Sequence, residues 1–521
     1  MSKIEDFRTH INEGHTFKKD YIVLGGAMLD DEPVSDALVK IPLKTLNRHG
    51  LIAGATGTGK TKTMQVIAEQ MSLKGIPSLL MDIKGDLSGL AQPGSSNDHI
   101  VWRHGAIGVP YEAEKMPVEL MSISEQKGVR LRATVSEFGP VLLAKMLELN
   151  DTQEGIMSIL FKYCDDSKLP LLDLKDLRKS LQYINGEGKK DIQKEYGQIS
   201  SSSISTIMRK VVELEQQGAE LFFGERSFDV QDFLHVNKKG KGQISIIRLT
   251  DIQNKPKLFS TFMMSLLAEV YETFPEAGDD DKPKLCIFID EAHLMFNEAS
   301  DALLDQIEII IKLIRSKGVG IYFVTQLPTD VPEEVLSQLG LKVQHALRAF
   351  TAKDRKAIKQ TAENYPLSDF YKTDEVITAM GTGIALVTGL NEKGIPTPLA
   401  VTLLQAPKTR MDVLTKKEID EVVDYSLLTE KYNKDIDRRS AYEILGEKIE
   451  RMEEEELQEE RRKQQEKEDK AIEKTRRSTT NRRRSPGRPR KSATSKAVDS
   501  FVKTAGREII RGVFSIFGLK R

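Results

Sequence analysis

One stretch constrains the fold more than any other. The apolar run "GLIAG" passes into "GATGTGKT" (Gly54–Thr61) and on into "TKTMQVIAEQMSLKG". Glycines at fixed offsets followed by Lys and Thr satisfy the phosphate-binding loop pattern, which has to sit between a strand and a helix. Without Cβ atoms the glycines let successive N–H groups turn inward into an anion-binding nest, and the next helix adds its positive N-terminal dipole. The cradle is therefore Gly54, Ala55, Thr56, Gly57, Thr58, Gly59, Lys60 and Thr61. Lys60 should reach the β and γ phosphates of a nucleotide, and Thr61 should place its hydroxyl on Mg²⁺. With 36 glycines in 521 residues, the pattern arises by chance in about one or two per cent of chains this long. Its strand-to-helix setting lowers that further.

The apolar run "IPSLLMDI" after this helix completes a βαβ unit, and hence a parallel sheet. Residues 1–45, with "YIVLGGAML" and "ALVKIPL", suit a small strand-rich segment. Residues 46–410 form the main domain, interrupted over about 130–225 by helical stretches such as "GIMSILFKYC" and "ISTIMRKVVELEQQ". The sheet resumes in "GQISIIRL", "KLCIFID", "GVGIYFVTQ" and "KVQHALRAF", and "AMGTGIALVTGL" with "PTPLAVTLLQAP" reads as a closing hairpin.

Three further places carry chemistry. "KLCIFIDEAH" is a buried strand ending in two acids. Asp290 comes to the sheet edge where the Mg²⁺ shell lies, and Glu291 is placed to orient and polarise an attacking water. A strand end capped by solvated acids is the plainer alternative, and His293 fits packing behind the acids better than catalysis. "GVGIYFVTQ" ends in Gln326, whose amide can bond both the γ-phosphate and the lytic water, or can simply cap the strand. Arg348 and Arg355 follow. Such arginines stabilise charge on a transferring phosphoryl group when a neighbouring subunit supplies them, or else they are solvated surface groups.

Together "HGLIAGATGTGKT", "LLMDIKGDLSGL", "CIFIDEAH", "YFVTQ" and "QHALRAFTAKDRKAI" resemble the HerA and FtsK class of P-loop ATPases. The likeness is greatest to a bacterial HerA-like family of poorly characterised function, over roughly residues 20–445. The resemblance implies an α/β fold: a RecA-like P-loop NTPase core, mainly parallel, with helices on both faces. It also implies ATP and Mg²⁺ as cofactors, a homo-oligomer in the form of a hexameric ring, and ATP-driven movement of double-stranded DNA. Lys60, Thr61, Asp290, Glu291 and Gln326 match the family's positions. Arg348 is the better match for its arginine and Arg355 the second. Asp82 and Asp86 fall in the acidic segment after the second strand, where a plain turn is an equal reading. About 45 residues ahead of the core is short for the full β-barrel of archaeal HerA, so docking to nucleases in that manner is not expected. "DLSGL" follows the second strand, unlike the ABC signature, and no second RecA domain follows, as the two-domain DEAH helicases require.

Beyond 410 the composition changes. Residues 411–475 form a charged helical extension with acid and base at helical spacing. Residues 476–497 are basic, hold no acid and carry Pro, Gly and Ser, so a disordered linker is expected. Within it Gly487, Arg488 and Pro489, with Arg482, Arg483, Arg484, Arg490 and Lys491, resemble an AT-hook; a nonspecific tether to phosphate is the favoured reading and an inert linker the third. Residues 498–521 carry the stripe Val498, Val502, Ala505, Ile509, Val513 and Ile516 of an amphipathic helix. Lys503, Arg507, Arg511, Lys520 and Arg521 beside the stripe suit docking on a neighbouring subunit more than contact with an anionic membrane. The net charge of −1 rules out a uniformly basic nucleic-acid binder, so any such contact must be local. No apolar run approaches the roughly 20 residues of a membrane span, and "MSKIEDFRTH" lacks a secretory pattern, so a cytoplasmic protein is expected. Cys164 and Cys286 match no metal-ligand spacing and are expected as reduced thiols. Three functions follow: a ring ATPase that translocates or remodels DNA, an ATPase acting on protein or membrane assemblies, and a DNA-binding scaffold that uses ATP only to set its oligomeric state. Glu291 argues against the third.

Overall fold

The apolar runs that the sequence places before glycine, acid and amide residues become adjacent strands of one sheet. The computed structural model describes residues 2–278, 280–296 and 301–480. Among these, the strands are β1 (Tyr21–Leu29), β2 (Glu32–Pro42), β3 (Gly50–Ala53), β4 (Ser78–Asp82), β5 (Val118–Ser122), β6 (Val129–Arg130), β7 (Ile244–Arg248), β8 (Leu285–Ile289), β9 (Val319–Thr325), β10 (Leu341–His345), β11 (Ile384–Thr388) and β12 (Ala400–Leu404). Their order is β2-β1-β12-β11-β10-β3-β9-β8-β4-β7-β5-β6. From β10 to β6 every pairing is parallel, and from β10 to β2 every pairing is antiparallel. Every residue of β3, β4, β8 and β9 is buried, as parallel strands covered on both faces require.

The crossover helix Lys60–Leu73 carries the chain from β3 to β4, but the two strands are not neighbours. β9 and β8 lie between them, so the C-terminal ends of β3, β9, β8 and β4 form one continuous edge. In parallel sheets ligands bind outside such an edge. The register levels the ends: Ala53 pairs with Thr325, Ile289 with Phe323, and Met81 with Ile289.

The strands of residues 1–45 are not set apart from this sheet. β1 and β2 follow a helix, Lys3–Gly14, that opens on a capping box of Ser2 and Glu5. β1 pairs with β12 through Gly25 and Leu404, so the chain's first strands close the antiparallel side. The sheet also takes in β5 and β6, short strands that no local pattern separates from their surroundings. The helical stretch runs through Val135–Met146, Asp151–Asp166, Leu174–Asn185, Lys189–Tyr196 and Ser201–Gln216. Several of these start at capping boxes, and Leu160, Leu177, Leu181, Ile207 and Val211 are fully buried.

The chain divides into two compact units, Met1–Ile449 and the residues from Glu450 on. The first contains the whole sheet. In the second, the helix Ala441–Thr480 continues with residues 453–474 exposed throughout. The basic residues Arg482–Lys491 and the amphipathic helix expected over 498–521 lie outside the described residues. No described helix is long and apolar enough to cross a membrane. Cys164 and Cys286 are free and buried.

Candidate functional site

The loop after β3 is built by close approach. Gly54 has φ +154°, and a Cβ there would lie 2.4 Å from the His345 Cβ at the end of β10. Only glycine lets the chain leave β3 so near its neighbour. Gly57 (φ +79°) and Gly59 (φ +111°) turn the backbone into the helix Lys60–Leu73, whose first N–H groups have no acceptor within the helix. The loop is pinned at its start: the Gly54 and Ala55 N–H groups donate to the carbonyls of Thr325 and Ala346. Lys60 Nζ donates to the carbonyls of Gly54 (2.6 Å) and Ala55 (3.1 Å). Burial lowers the Lys60 pKa and the charge of Lys84 lowers it further, against the pull of Glu291 and Asp290. Thr61 stands in the first helical turn, half-buried.

Asp290, directly after β8, is 1 % exposed. Its Oδ1 accepts from the Glu291 N–H at 2.9 Å, while Oδ2 has no hydrogen-bond partner among the described residues. Glu291 takes the left-handed conformation (φ +48°), a backbone state that non-glycine residues adopt at a cost and that recurs at functional turns. Lys84, from the turn after β4, closes over both acids. Its Nζ lies 2.6 Å from Glu291 Oε1 and 3.5 Å from Asp290 Oδ2. Burial pushes the Asp290 carboxyl up to about 6, with Lys84 opposing and Glu291 reinforcing the shift. Burial alone would lower the Lys84 pKa, but Asp290 and Glu291 outweigh it and the net shift is upward. His293 Nδ1 is 3.2 Å from Glu291 Oε2, behind the pair.

Asp82 has a local task. Its carboxylate accepts from the N–H groups of Gly85 (2.7 Å), Asp86 (3.1 Å) and Leu87 (3.3 Å), fixing the turn that presents Lys84. Burial, then the neighbouring Asp86, pushes it up to about 7. Sequence pattern singles out Asp82 and Asp86 but not Lys84, because a lysine between two acids in a turn has the pattern of a solvated surface group. Its position in "DIKGD", at the end of a buried strand, was the available signal.

Other supports come from distant segments. His345 Nε2 meets Thr63 Oγ1 at 2.9 Å, and burial, then the charge of Lys60, holds this imidazole down at about 4, so it is neutral. The turn Gly381–Gly383 lies against the loop: the Gly383 N–H donates to the Thr58 carbonyl, and Arg103 Nη1 holds the Gly383 and Leu404 carbonyls at 3.0 Å each. Glu69, buried on the crossover helix, accepts from the N–H groups of Lys408 and Thr409 and from the Thr409 hydroxyl. Gln65 donates to Thr409 Oγ1 and the Arg410 carbonyl. The segment after β12 is thus strapped onto the helix that follows the phosphate loop.

Gln326 is exposed, one residue beyond β9 and level with Gly54 across the sheet. Arg348 donates to the carbonyls of Thr378 (2.8 Å) and Met380 (3.4 Å), at the C-terminal end of the helix Thr373–Ala379, and Arg355 is exposed on the helix Ala352–Glu363. The edge therefore brings together Lys60, Asp290, Glu291 and Gln326, while both arginines face their own surroundings. The residues present fit a Mg²⁺–nucleotide. Asp290 Oδ2 is a buried oxygen without a hydrogen-bond partner among the described residues, and Mg²⁺ in nucleotide sites is held by one or two protein oxygens, phosphates and waters.

A family model described as "Helicase HerA-like C-terminal" matches residues 28–521. The "DNA double-strand break repair helicase HerA" of Sulfolobus acidocaldarius is 23% identical over 373 residues, covering 70% of this chain and 67% of that protein. Its counterpart in Sulfurisphaera tokodaii is 24% identical over 364 residues, 68% of this chain and 65% of that one. The chain thus spans about two thirds of the length of these relatives. Among solved structures, the bacterial conjugative coupling protein TrwBdeltaN70 superposes with a TM-score of 0.50 at 14% identity, over 78% of this chain and 94% of that one. The latter likeness is one of fold.

Proposed function

We propose, from the premise that the chain belongs to the HerA-like helicase C-terminal family, that it is an ATP-hydrolysing motor that assembles into a ring and translocates or remodels double-stranded DNA. One observation carries the catalytic part: the phosphate loop after β3 and the acid pair after β8 flank β9 on one sheet edge, where a buried Asp290 oxygen has no hydrogen-bond partner among the described residues and only the Lys84 ammonium, 3.5 Å away, beside it. The loop amides and Lys60 bind the β and γ phosphates. Thr61 and Asp290 would hold Mg²⁺, which when bound would supply positive charge to the transferring phosphoryl group. Glu291 orients and polarises the attacking water, and Gln326, one strand away, bonds the γ-phosphate and that water. Arg348 or Arg355 of a neighbouring subunit completes the site, which is why a ring is required. The DNA part draws support from the relatives named as DNA double-strand break repair helicases, and the basic residues within 482–491 supply an additional phosphate contact.

The deciding experiment compares ATP hydrolysis with and without double-stranded DNA for the full chain, a truncation after residue 475, and Glu291→Gln. Stimulation that survives truncation supports a DNA motor in the core. Stimulation lost on truncation assigns DNA contact to the tail. No stimulation even at low salt rejects DNA as the substrate and leaves a protein or membrane assembly in its place.

A further inference from the structure

Lys84 stands in an unusual balance of charge. Two adjacent carboxylates, one of them 1 % exposed, repel each other and need a cation close by. Lys60 is engaged by the carbonyls of its own loop, so the cation on the acids is Lys84. The turn that carries it is fixed, because Asp82 holds three of its amides. The side chain reaches solvent, with 35 % of it exposed. A second seat is at hand in Asp86, whose charge acts on Lys84 and whose Oδ1 is buried without a hydrogen-bond partner among the described residues.

We infer that Lys84 is a positioning residue that competes with the divalent cation for Asp290, so that an internal ammonium sets how much Mg²⁺ the site needs. This rests on the reading of the edge as a nucleotide site. Without Mg²⁺ the ammonium offsets the acid pair and holds Glu291 by its Oε1. A dication on Asp290 Oδ2 and an ammonium 3.5 Å from that oxygen repel each other, so loading moves Lys84 toward Glu291 or Asp86. The residue thus ties the placement of Glu291 to cation loading.

The test is the Mg²⁺ dependence of binding of fluorescent N-methylanthraniloyl-ADP to the full chain, a readout independent of turnover. Lys84→Met should lower the half-saturating Mg²⁺ concentration about fivefold by removing a competing charge, and Lys84→Arg should leave it near the wild-type value. Glu291→Gln should raise it, because Lys84 then rests on Asp290 alone. In the double variant Lys84→Met/Glu291→Gln that rise should largely vanish. An unchanged or raised value in Lys84→Met, or strictly additive shifts in the double variant, overturns the inference. If Lys84→Met melts early, the Glu291→Gln arm stands by itself, and an unchanged or lowered value there overturns it. Binding that persists in Lys60→Ala would instead refute the nucleotide site itself, and the inference would fall with it.

Discussion

The two ends of the same parallel strands are built on opposite rules. At the start of β3, His49 has φ +55°, yet both ring nitrogens are satisfied: Nδ1 accepts from the Ile321 N–H at 3.0 Å, and Nε2 donates to the Ile311 carbonyl at 2.9 Å. Nearby, the Tyr322 hydroxyl, wholly buried, donates to the Leu46 carbonyl at 2.6 Å. At the far end Glu291 has nearly the same φ, +48°, but there Asp290 Oδ2 and Asp86 Oδ1 are buried without hydrogen-bond partners among the described residues. Backbone strain is common to both ends and marks neither. What separates them is whether the polar groups around the strained residue are saturated from within. The saturated end stores its hydrogen bonds in stability, and the unsaturated end keeps valences and charge for a ligand.

The contrast breaks most visibly at Lys60. Lys60→Ala should abolish nucleotide binding, a loss of at least about a hundredfold in affinity for a charge-assisted phosphate contact, while the melting temperature stays close to wild type. Titration of a fluorescent nucleotide beside thermal melting checks both. At the opposite end His49→Ala should do the reverse. Losing two buried hydrogen bonds and the ring volume should cost about 3 kcal/mol of stability in denaturant unfolding, with hydrolysis per folded molecule unchanged.

Acid sharpens the same comparison. Burial holds His49 at about 4, against an ordinary value of 6.5. Below pH 6.5 the unfolded chain takes up a proton that the folded chain refuses. The stability supplied by His49 is therefore complete above pH 6.5 and is lost as the pH falls toward 4. The gap in unfolding free energy between wild type and His49→Ala should narrow by about 3 kcal/mol over that window. A constant gap would mean that His49 is not held neutral.

The smallest effect is expected at Gln326, which is exposed and touches the reaction only through hydrogen bonds. Gln326→Ala should lower kcat about tenfold with little change in KM, as for one lost transition-state hydrogen bond. A change in KM alone would reduce it to a strand cap.

The edge was legible in sequence where function writes itself into short words. A buried strand that ends in glycine, acid or amide announces its end, and four such ends were enough to specify a mainly parallel sheet. The rest depends on contacts that no local pattern encodes. β1 pairs with β12 across almost 380 residues of chain, Glu69 meets Lys408 and Thr409 across about 340, and Gly383, just before β11 and two strands from β3, braces Thr58. Lys84 was hidden for a different reason. Its role depends on β8 being seated beside β4, and strand order in a parallel sheet is set by helix packing rather than by the strands' own residues.

The central claim is that the unsaturated edge binds and hydrolyses ATP with Glu291 positioning the water. The most direct test is steady-state ATP hydrolysis by Glu291→Gln alongside its nucleotide affinity. Hydrolysis should fall by about 10²- to 10⁴-fold while nucleotide affinity at saturating Mg²⁺ stays within a few-fold of wild type. Undiminished hydrolysis in the variant would contradict the claim.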